Sequence, residues 1–244
     1  MSISKRQEKI LLLLNEEGFL SVSELSKITY TSESSIRRDL AKLENMNMLK
    51  RTHGGAGVLN EINRSVPLNK RMNKNTIGKR KIAKKASIFL KDGQTIMLDG
   101  SSTASFLIPY IAKLKDATVF TNNMLTAINA INYGIKVHCI GGTSVNGSAA
   151  LSGEESYDTV MRLHPDILFF SSKSLSESGI ISDPTAEENY LRKLMINNAQ
   201  TTVFLCDSEK FGGTSLHTLT SLNNIDYAVF DTPFEKLITE CKII

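Results

Sequence analysis

The sequence predicts an α/β protein in two parts: a small, mainly helical N-terminal domain and a larger domain built on a mostly parallel sheet. Short amphipathic helical segments fill the first 45 residues, whereas apolar strand segments alternate with helical segments beyond residue 92. The charge divides in the same way, because residues 1–91 carry 19 Lys/Arg and 8 Asp/Glu while residues 92–244 carry 10 and 17. A basic front and an acidic back indicate that one part contacts a polyanion, although a chance run of solvated lysines is the alternative.

Composition excludes several classes of protein. Hydrophobic residues make up 41% and charged residues 22% of the chain, which is typical of a folded globular protein and not of a disordered one. No apolar run approaches the ~20 residues that span a bilayer, so we expect a cytoplasmic protein with no membrane partner. The three cysteines and the scattered histidines lack metal-ligand spacing, so we expect no metal, no cofactor and no disulfide framework.

The N-terminal part reads as three short helices. Ser4 with Gln7, and Ser21 with Glu24, have the spacing of capping boxes, which predicts two helix starts. A third helix is predicted from near Ser32 to about Asn45.

The third helix separates apolar from basic residues. Ile36, Leu40 and Leu43 recur on one face. Its opposite face carries small and basic residues that suit the major groove of DNA, where guanine O6 and N7 accept from arginine. A solvated basic face is the alternative, but two preceding short helices with a tight turn favour a helix-turn-helix.

A glycine-rich hairpin is predicted next, from Lys50 to Val58. Basic residues flank the Gly54-Gly55 pair, which permits positive φ and a tight reversal. His53 has no partner at metal-ligand spacing and is interpreted as a contact of this wing or of the linker.

Together these motifs resemble a known family. Ser35-Ile36-Arg37-Arg38-Asp39-Leu40, then Leu43-Glu44, then Arg51-Thr52-His53-Gly54-Gly55-Ala56, are similar to the signature of DeoR/GlpR-type bacterial transcriptional regulators. That family usually has Thr where Ser35 stands, a departure that keeps the hydroxyl. The resemblance implies a winged helix-turn-helix with DNA contacts at Arg37, Arg38 and Arg51. The full set of predicted DNA-binding residues is Ser34, Ser35, Arg37, Arg38, Lys42, Arg51 and His53.

A basic linker region follows. We expect the DNA-binding domain over residues 1–58, a polar linker over 59–75, and the second domain over 76–244. An amphipathic helix begins near Ile77, and Lys79 with the neighbouring Arg80, Lys81, Lys84 and Lys85 is expected on its wet side. These cations suit either DNA phosphates or a solvated helix of the second domain, and the second role is favoured.

The second domain alternates strands with helices, which predicts a mostly parallel sheet covered on both faces. Helices are predicted at Thr103–Lys113, Met124–Asn132, Tyr157–Leu163 and Glu187–Asn198. The predicted strands are Thr95–Leu98, Thr118–Thr121, Lys136–Ile140, Ile167–Phe170, Val203–Leu205 and Tyr227–Phe230.

Polar loops follow several of these strands, at the edge of the sheet where such folds bind ligands. Glycines, hydroxyls and one lysine in these loops favour a small anion, with the loop after Leu98 facing a predicted helix N-terminus. The loops resemble the DeoR-type effector domain, which is related in fold to ribose-5-phosphate isomerase, and this implies a phosphorylated sugar as effector. Where the family usually has Gly-Thr-Thr, this chain has Ser101-Ser102-Thr103, and the added Cβ tightens the loop. The predicted effector-binding residues are Asp99, Ser101, Ser102, Thr103, Asn122, Gly141, Gly142 and Lys210.

Two other classes of function are alternatives to a transcriptional regulator. A sugar-phosphate isomerase-like enzyme with an accessory DNA-binding domain needs a carboxylate base. The segment Ile167–Ser174 contains none, and Glu187 and Glu188 open a helix, where acids are expected for dipole reasons alone. An architectural DNA-binding protein leaves the acidic second domain unexplained.

The sequence therefore predicts a regulator and not an enzyme. We expect a repressor of sugar or carbohydrate metabolism genes that binds double-stranded operator DNA under the control of a phosphorylated sugar or related small anion. A homodimer or homotetramer is expected, since one three-helix module reads few base pairs and a palindromic site doubles the contact.

Overall fold

The chain folds as two compact units. The structure is a computed structural model that describes residues 3–17, 19–46, 48–52, 54–57, 68–145 and 148–244. The first unit comprises Met1–Val66 and the second Pro67–Ile244. The division between them falls within the segment 59–75 that the sequence assigns to a linker.

The first unit has the predicted winged helix-turn-helix arrangement, with three helices followed by a hairpin. Its described elements are α1 (Lys5–Glu17), β1 (Phe19–Ser21), α2 (Val22–Thr29), α3 (Glu33–Asn45), β2 (Lys50–Thr52) and β3 (Gly55–Gly57).

Both predicted capping boxes form at the helix starts. Ser4 Oγ accepts from the Gln7 amide (3.2 Å) and Gln7 Oε1 accepts from the Ser4 amide (3.0 Å). Ser21 and Glu24 exchange the same pair of bonds at the start of α2. These bonds satisfy backbone donors that have no partner within the helix, so the sequence fixes where α1 and α2 begin.

The sheet of the wing includes β1, a strand that was not predicted from the sequence. β3 pairs antiparallel with β2 and also with β1, so the hairpin belongs to a three-stranded sheet within the described residues. Gly55 does not adopt the positive φ that a glycine permits. A Cβ on Gly55 would lie 2.2 Å from the Leu20 carbonyl oxygen, so glycine is needed there for close approach of β3 to β1.

A buried carboxylate fastens α1 to α3. Asp39 is almost wholly buried on α3, and it accepts from Arg6 Nε (2.5 Å) and Gln7 Nε2 (3.0 Å) of α1. The apolar face of α3 packs beside it, with Ile36 and Leu40 fully buried in the core of the unit.

The second unit is an α/β domain of helices and short strands. Its helices are α4 (Leu68–Asn73), α5 (Thr76–Ala86), α6 (Ser102–Ser105), α7 (Ile108–Ile111), α8 (Met124–Asn132), α9 (Glu154–Met161) and α10 (Ala186–Asn198). Its strands are β4 (Thr95–Leu98), β5 (Thr118–Thr121), β6 (Lys136–Cys139), β7 (Thr143–Ser144), β8 (Leu151–Ser152), β9 (Ile167–Phe170), β10 (Ser174–Leu175), β11 (Ile180–Asp183), β12 (Thr202–Cys206), β13 (His217–Ser221), β14 (Tyr227–Phe230) and β15 (Lys242–Ile243).

A parallel sheet organises this unit, as the sequence predicts. Within the described residues its seven strands lie in the order β15-β14-β12-β9-β4-β5-β6, and every pairing is parallel. The chain runs from β4 outward to β6, returns to β9 beside β4, and then proceeds outward in the other direction. The direction of winding therefore reverses between β4 and β9, and open α/β sheets bind ligands at the carboxyl ends of such strands.

Alternate side chains of the central strands build two separate cores. Ile96 and Leu98 of β4 pack on one face with α5, α6 and α7, whereas Met97 faces the opposite side. That opposite core is covered by α9, α10 and a small antiparallel sheet in which β11 lies between β10 and β13. Burial on both faces explains why these strands are almost uniformly apolar in sequence.

Two predictions in this unit are wrong. The helix predicted over Thr103–Lys113 is divided into α6 and α7, because Pro109 lies in the first turn of α7 and cannot continue a helix from Thr103. Lys79, expected on the wet side of its helix, is only 3% exposed.

Helix α4 lies within the predicted linker and belongs to the second unit.

In the described part of the chain, no helix is both long and apolar enough to cross a membrane.

Replacing Asp39 with Ala should loosen the contact between α1 and α3. Gln7 and Arg6 would lose a buried acceptor, which costs about 1–3 kcal/mol of unfolding free energy. Hydrogen–deuterium exchange of the α1 and α3 amides measures this loss. Glu33→Ala is the matched control, because Glu33 is a half-exposed acid on the same helix and we expect a much smaller change. Equal protection in the two variants would contradict the role given to Asp39.

Candidate functional site

The outer face of α3 presents the predicted DNA-binding residues to solvent. Ser34, Arg37, Arg38 and Lys42 are exposed, and Ser35 is partly buried beside them. The structure thus brings the five α3 residues of the predicted set to one surface, opposite the buried stripe. A cationic helix face with small residues at its start fits a DNA major groove.

Intradomain contacts hold two of these side chains. Arg37 pairs with Glu33 one turn earlier, with an N–O distance of 3.3 Å. Arg38 donates to the Ser34 carbonyl and to Ser35 Oγ, both at 3.4 Å. Because these contacts are exposed and local, they orient the guanidinium groups without burying them.

The wing supplies one further described cation. Arg51 Nε lies 3.8 Å from a Glu44 carboxylate oxygen, and the Arg51 amide donates to the same carboxylate at 2.9 Å. Glu44 therefore ties β2 to the end of α3, and it keeps Arg51 at the surface of the unit. His53, also predicted as a DNA contact, lies outside the described residues.

A polar site lies where the sheet reverses its winding. Asp99 directly follows β4 and Ser171 directly follows β9. Asp99 accepts from the amides of Ser101 (3.1 Å) and Ser171 (3.3 Å), and it is only 1% exposed. We call Asp99, Ser101, Thr103, Ser171 and Lys210 the switch-point site.

A buried arginine anchors this site from α10. Arg192 donates through Nε to Asp99 (3.0 Å) and through a terminal nitrogen to Asp183 at the end of β11 (2.9 Å). Burial raises the pKa of Asp183, with Glu188 and Asp99 adding to the effect and Arg192 opposing it. Burial works against the charge of Arg192, but Asp183 and Asp99 outweigh it and raise the pKa of this group. The arginine therefore stays charged and holds both acids.

Lys210 brings a positive charge to the switch-point site. Its Nζ donates to Ser171 Oγ (2.8 Å) and to Thr103 Oγ1 (3.4 Å), and it lies 3.2 Å from Asp207 Oδ2. The lysine therefore links the loops after β4, β9 and β12. Sequence analysis placed it near the same rim as Asp99 and Thr103, and the structure brings Lys210 and Thr103 into contact.

The loop after β4 is tightly folded. Ser101 Oγ accepts from the Ala104 amide (3.2 Å) and the Ser101 carbonyl accepts from Ser105 Oγ (3.1 Å). Ser102 and Thr103 are buried beside them. Because α6 has only four residues, a helix dipole contributes little here, and the lysine and hydroxyls carry the polar character of the site.

Asn122, which follows β5, has one satisfied and one unsatisfied polar atom. Its Nδ2 donates to the Leu151 carbonyl at 2.8 Å. Its buried Oδ1 has no hydrogen-bond partner among the described protein atoms. A Cβ built on Gly100 would lie 3.6 Å from this oxygen, so Asn122 borders the loop that contains Ser101.

Gly141 and Gly142 contact different partners from the rest of the predicted set. The Gly141 carbonyl accepts from Ser156 Oγ of α9. Gly142 has a φ of +121°, and a Cβ there would lie 2.2 Å from the same hydroxyl. They stand at the carboxyl end of β6, and the structure gives them no direct contact with the switch-point site.

Sequence analysis missed four polar residues at this end of the sheet. Ser171 was detectable, because it follows an apolar strand in the way Asp99 does. Arg192 could not be predicted as a buried residue, since an arginine on a helix with several charged residues is expected to be exposed. Arg71 and Lys173 are also close: Arg71 donates to the Gly100 carbonyl (3.4 Å), and burial lowers its pKa against the opposing charges of Glu188 and Asp99.

Lys173 adds another positive charge at this end of the sheet. The protein packed around its ammonium group, and then the cations Lys74, Lys210 and Arg71, lower the pKa of Lys173, while Asp183 opposes them. Several cations that repel one another in one place favour an anionic ligand.

Among solved structures, the eIF2B delta subunit of Chaetomium thermophilum superposes on 94% of this chain and 72% of its own with a TM-score of 0.51 and 14% identity. This likeness concerns the fold alone. Ribose 5-phosphate isomerase of Methanocaldococcus jannaschii aligns with 57% of this chain and 55% of its own, with a TM-score of 0.42 and 21% identity.

Curated relatives match over nearly the full chain. The HTH-type transcriptional regulator GolR of Listeria innocua is 34% identical, covering 96% of this chain and 92% of its own. The L-fucose operon activator of Haemophilus influenzae is 34% identical over 91% and 89%. The HTH-type transcriptional repressor GlcR of Bacillus subtilis is 28% identical over 93% and 88%.

Two family descriptions divide the sequence between them. Residues 6–62 match the DeoR-like helix-turn-helix domain, and residues 74–232 match the DeoR C terminal sensor domain. The first match covers the three helices and the wing, and the second covers the parallel sheet apart from β15, together with the switch-point site. The chain therefore belongs to the DeoR family of helix-turn-helix transcriptional regulators.

Proposed function

We propose that the chain is an operator-binding repressor of carbohydrate genes whose DNA affinity is controlled by a phosphorylated sugar or a related small anion. Residues 1–58 are the proposed DNA-binding domain and residues 76–244 the proposed effector domain. The proposed place of action is the cytoplasm, where such a regulator meets its operator. The similarity to the repressor GlcR supports repression as the mode of action. The similarity to the L-fucose operon activator supports carbohydrate genes as the target.

One observation carries the effector proposal: Lys210 Nζ lies within hydrogen-bond distance of Ser171 and Thr103 at the point where the sheet reverses. An ammonium group and two hydroxyls at this position suit the oxygens of a phosphate. The unpartnered Asn122 Oδ1 supports a polyhydroxy ligand, since it can accept from a sugar hydroxyl. In this proposal Asp99 acts through the loop it holds, because its oxygens already accept from Arg192 and two amides.

The DNA proposal is carried by the exposed face of α3. We expect Arg37 and Arg38 to reach the major groove, with Ser34, Ser35 and Lys42 beside them and Arg51 on the neighbouring wing. His53 is kept in the proposed set on the sequence alone.

The proposed assembly is a homodimer or homotetramer, and we expect two copies to meet through α8. Its outer side carries an exposed apolar row of Met124, Leu125, Ile128 and Ile131, and the helix contains no charged residue. α8 packs beside β6, the edge strand of the parallel sheet. A neutral surface can face its own copy across a two-fold axis without bringing like charges together.

Arg37→Ala should weaken operator binding by about 1–3 kcal/mol and relax base preference, because it removes a proposed contact to a base edge. An operator duplex selected from a random pool by the wild-type chain, titrated in a gel-shift assay, measures this. Lys27→Ala, an exposed cation on α2, is the control and should affect specific and random DNA alike. Unchanged operator affinity in Arg37→Ala would count against the α3 assignment.

Lys210→Ala should remove the effector response while leaving operator affinity without effector as in wild type. The reason is that the lysine lies in the second unit and supplies a charge of the proposed phosphate site. A thermal-shift screen of phosphorylated sugars identifies stabilising compounds, and each is then tested on operator binding. Lys236→Ala, a surface lysine of the same unit, is the control. A normal response in Lys210→Ala would refute the assignment of the site.

Ile128→Asp should shift the chain toward a smaller assembly, because it places a charge in the centre of the apolar row. Sedimentation velocity over a range of protein concentrations measures the change. Ile238→Asp introduces the same charge at another exposed isoleucine and should sediment like wild type. Identical sedimentation of both variants and wild type would exclude the α8 face as the contact.

A further inference from the structure

The segment 68–75, which we call the α4 segment, comprises α4, Lys74 and Asn75, and α4 itself precedes the sensor match. The segment reaches the loop that contains Ser101 of the switch-point site. Arg71 donates from its guanidinium group to the Gly100 carbonyl (3.4 Å), in the loop that follows β4. Residues 63–73 lie outside both family matches, which end at 62 and resume at 74. Arg71 therefore stands in the stretch of chain between the two matched domains.

A buried lysine fastens the α4 segment to the first long helix of the domain. Lys79 of α5 donates from Nζ to the carbonyls of Arg71 and Lys74. Burial lowers the pKa of Lys79 to about 8, and Lys210 and Arg71 add to this effect while Asp207 opposes it. The backbone carbonyls of Arg71 and Lys74 are therefore held against α5.

Asp207 connects the same segment to Lys210. Asn75 Nδ2 donates to Asp207 Oδ1 (3.5 Å), while the other oxygen of this carboxylate pairs with Lys210 (3.2 Å). Asn75 has a φ of +43° and its side chain caps α5 through the Gly78 amide (3.1 Å). An anion that attracts Lys210 would weaken its pairing with Asp207, whose other oxygen already accepts from Asn75 of the α4 segment.

The charges around Arg71 favour an anion between the segment and the sheet. Partial burial of its ammonium group lowers the pKa of Lys173, and repulsion by the nearby cations Lys74, Lys210 and Arg71 lowers it further, while Asp183 opposes them. Glu188 and Asp99 are the carboxylates that oppose burial at Arg71. A phosphate offers charge-assisted hydrogen bonds to Arg71 and Lys210 together, and guanidinium and ammonium groups are the usual partners of phosphate.

We propose that Arg71 is an effector-binding residue and that the α4 segment transmits effector binding to the DNA-binding domain. The inference rests on the proposed sensing of a phosphorylated ligand and adds the residue and the segment through which it acts. Because α4 directly follows the residues that join the two domains in the sequence, a ligand that binds Arg71 and Lys210 together alters the end of that connection.

The test compares full-length wild type with Arg71→Gln and with Arg80→Gln, which removes an exposed arginine from α5. The probes are inorganic phosphate, ribose 5-phosphate and glucose 6-phosphate, with calorimetry for binding and an operator duplex selected from a random pool for DNA affinity. In Arg71→Gln we expect about tenfold weaker probe binding. At saturating probe, the ratio of operator affinities with and without probe should approach one. Arg80→Gln should keep the wild-type binding and ratio.

Hydrogen–deuterium exchange supplies an independent readout. The probe should slow exchange over residues 68–75 in wild type and in Arg80→Gln, but not in Arg71→Gln. If Arg71→Gln melts below the assay temperature, Arg71→Lys replaces it, because it keeps the charge but not the planar fork, and we expect it to transmit only part of the response.

The outcomes separate the two levels of the proposal. If wild type binds no probe, the sensing of a phosphorylated ligand fails, and this inference fails with it. If wild type binds and responds, and the Arg71 variants respond by the same factor at saturation, only the inference is overturned. Equal losses in Arg80→Gln would likewise overturn it, because the effect would then be one of general charge.

Discussion

The second unit depends on one buried arginine. Arg192 joins Asp99, at the end of β4, to Asp183, at the end of β11, and so ties the parallel sheet to the small antiparallel sheet through α10. One cation between two acids leaves a surplus negative charge, which the amides of Ser101, Ser171 and Lys173 offset. Removing the arginine would leave two buried carboxylates without their cation, a far larger cost than the pair contributes when intact.

This anchoring explains how a site of small residues can have a fixed shape. Hydroxyls and amides around Lys210 come from three loops, and loops alone hold such groups loosely. Asp99 fixes the loops after β4 and β9 by accepting from both, and Arg192 fixes Asp99. In the proposed complex, the polar surface that faces the ligand is thus supported by charges that the ligand does not touch.

The elements that were predicted with correct bounds are those that depend on residues close together in the sequence. β4, β5, β9, β14 and α8 have the predicted bounds, because apolar runs bounded by polar turns leave little choice. The break between α6 and α7 was also local, and Pro109 was the overlooked cue.

The features that could not be predicted from the sequence depend on packing between distant parts of the chain. The strands β10 and β11 have only two and four residues, and β13 has polar side chains at four of its five positions, so they were not predicted. They nevertheless form the sheet that brings Asp183 to Arg192. Lys79 lies in a run of lysines and looked solvated, although its Nζ is buried against backbone carbonyls. The three-strand wing depends on β1, whose partner is more than 30 residues away.

Two arginines of the first unit that are proposed to contact DNA are each paired with a carboxylate, which occupies the place that a DNA phosphate would take. Glu33 on Arg37 and Glu44 on Arg51 must be displaced before either guanidinium can bind DNA in the proposed complex. Exposed pairs of this kind are worth about 0–1 kcal/mol, so the competition is mild. It nevertheless lowers the affinity of each arginine for the phosphates of non-specific DNA, whereas hydrogen bonds to a guanine edge in the operator offset this loss. Because each of these arginines is already paired with a carboxylate, the DNA-binding domain would dissociate faster from non-specific DNA. It would also release fewer counterions per arginine when it binds.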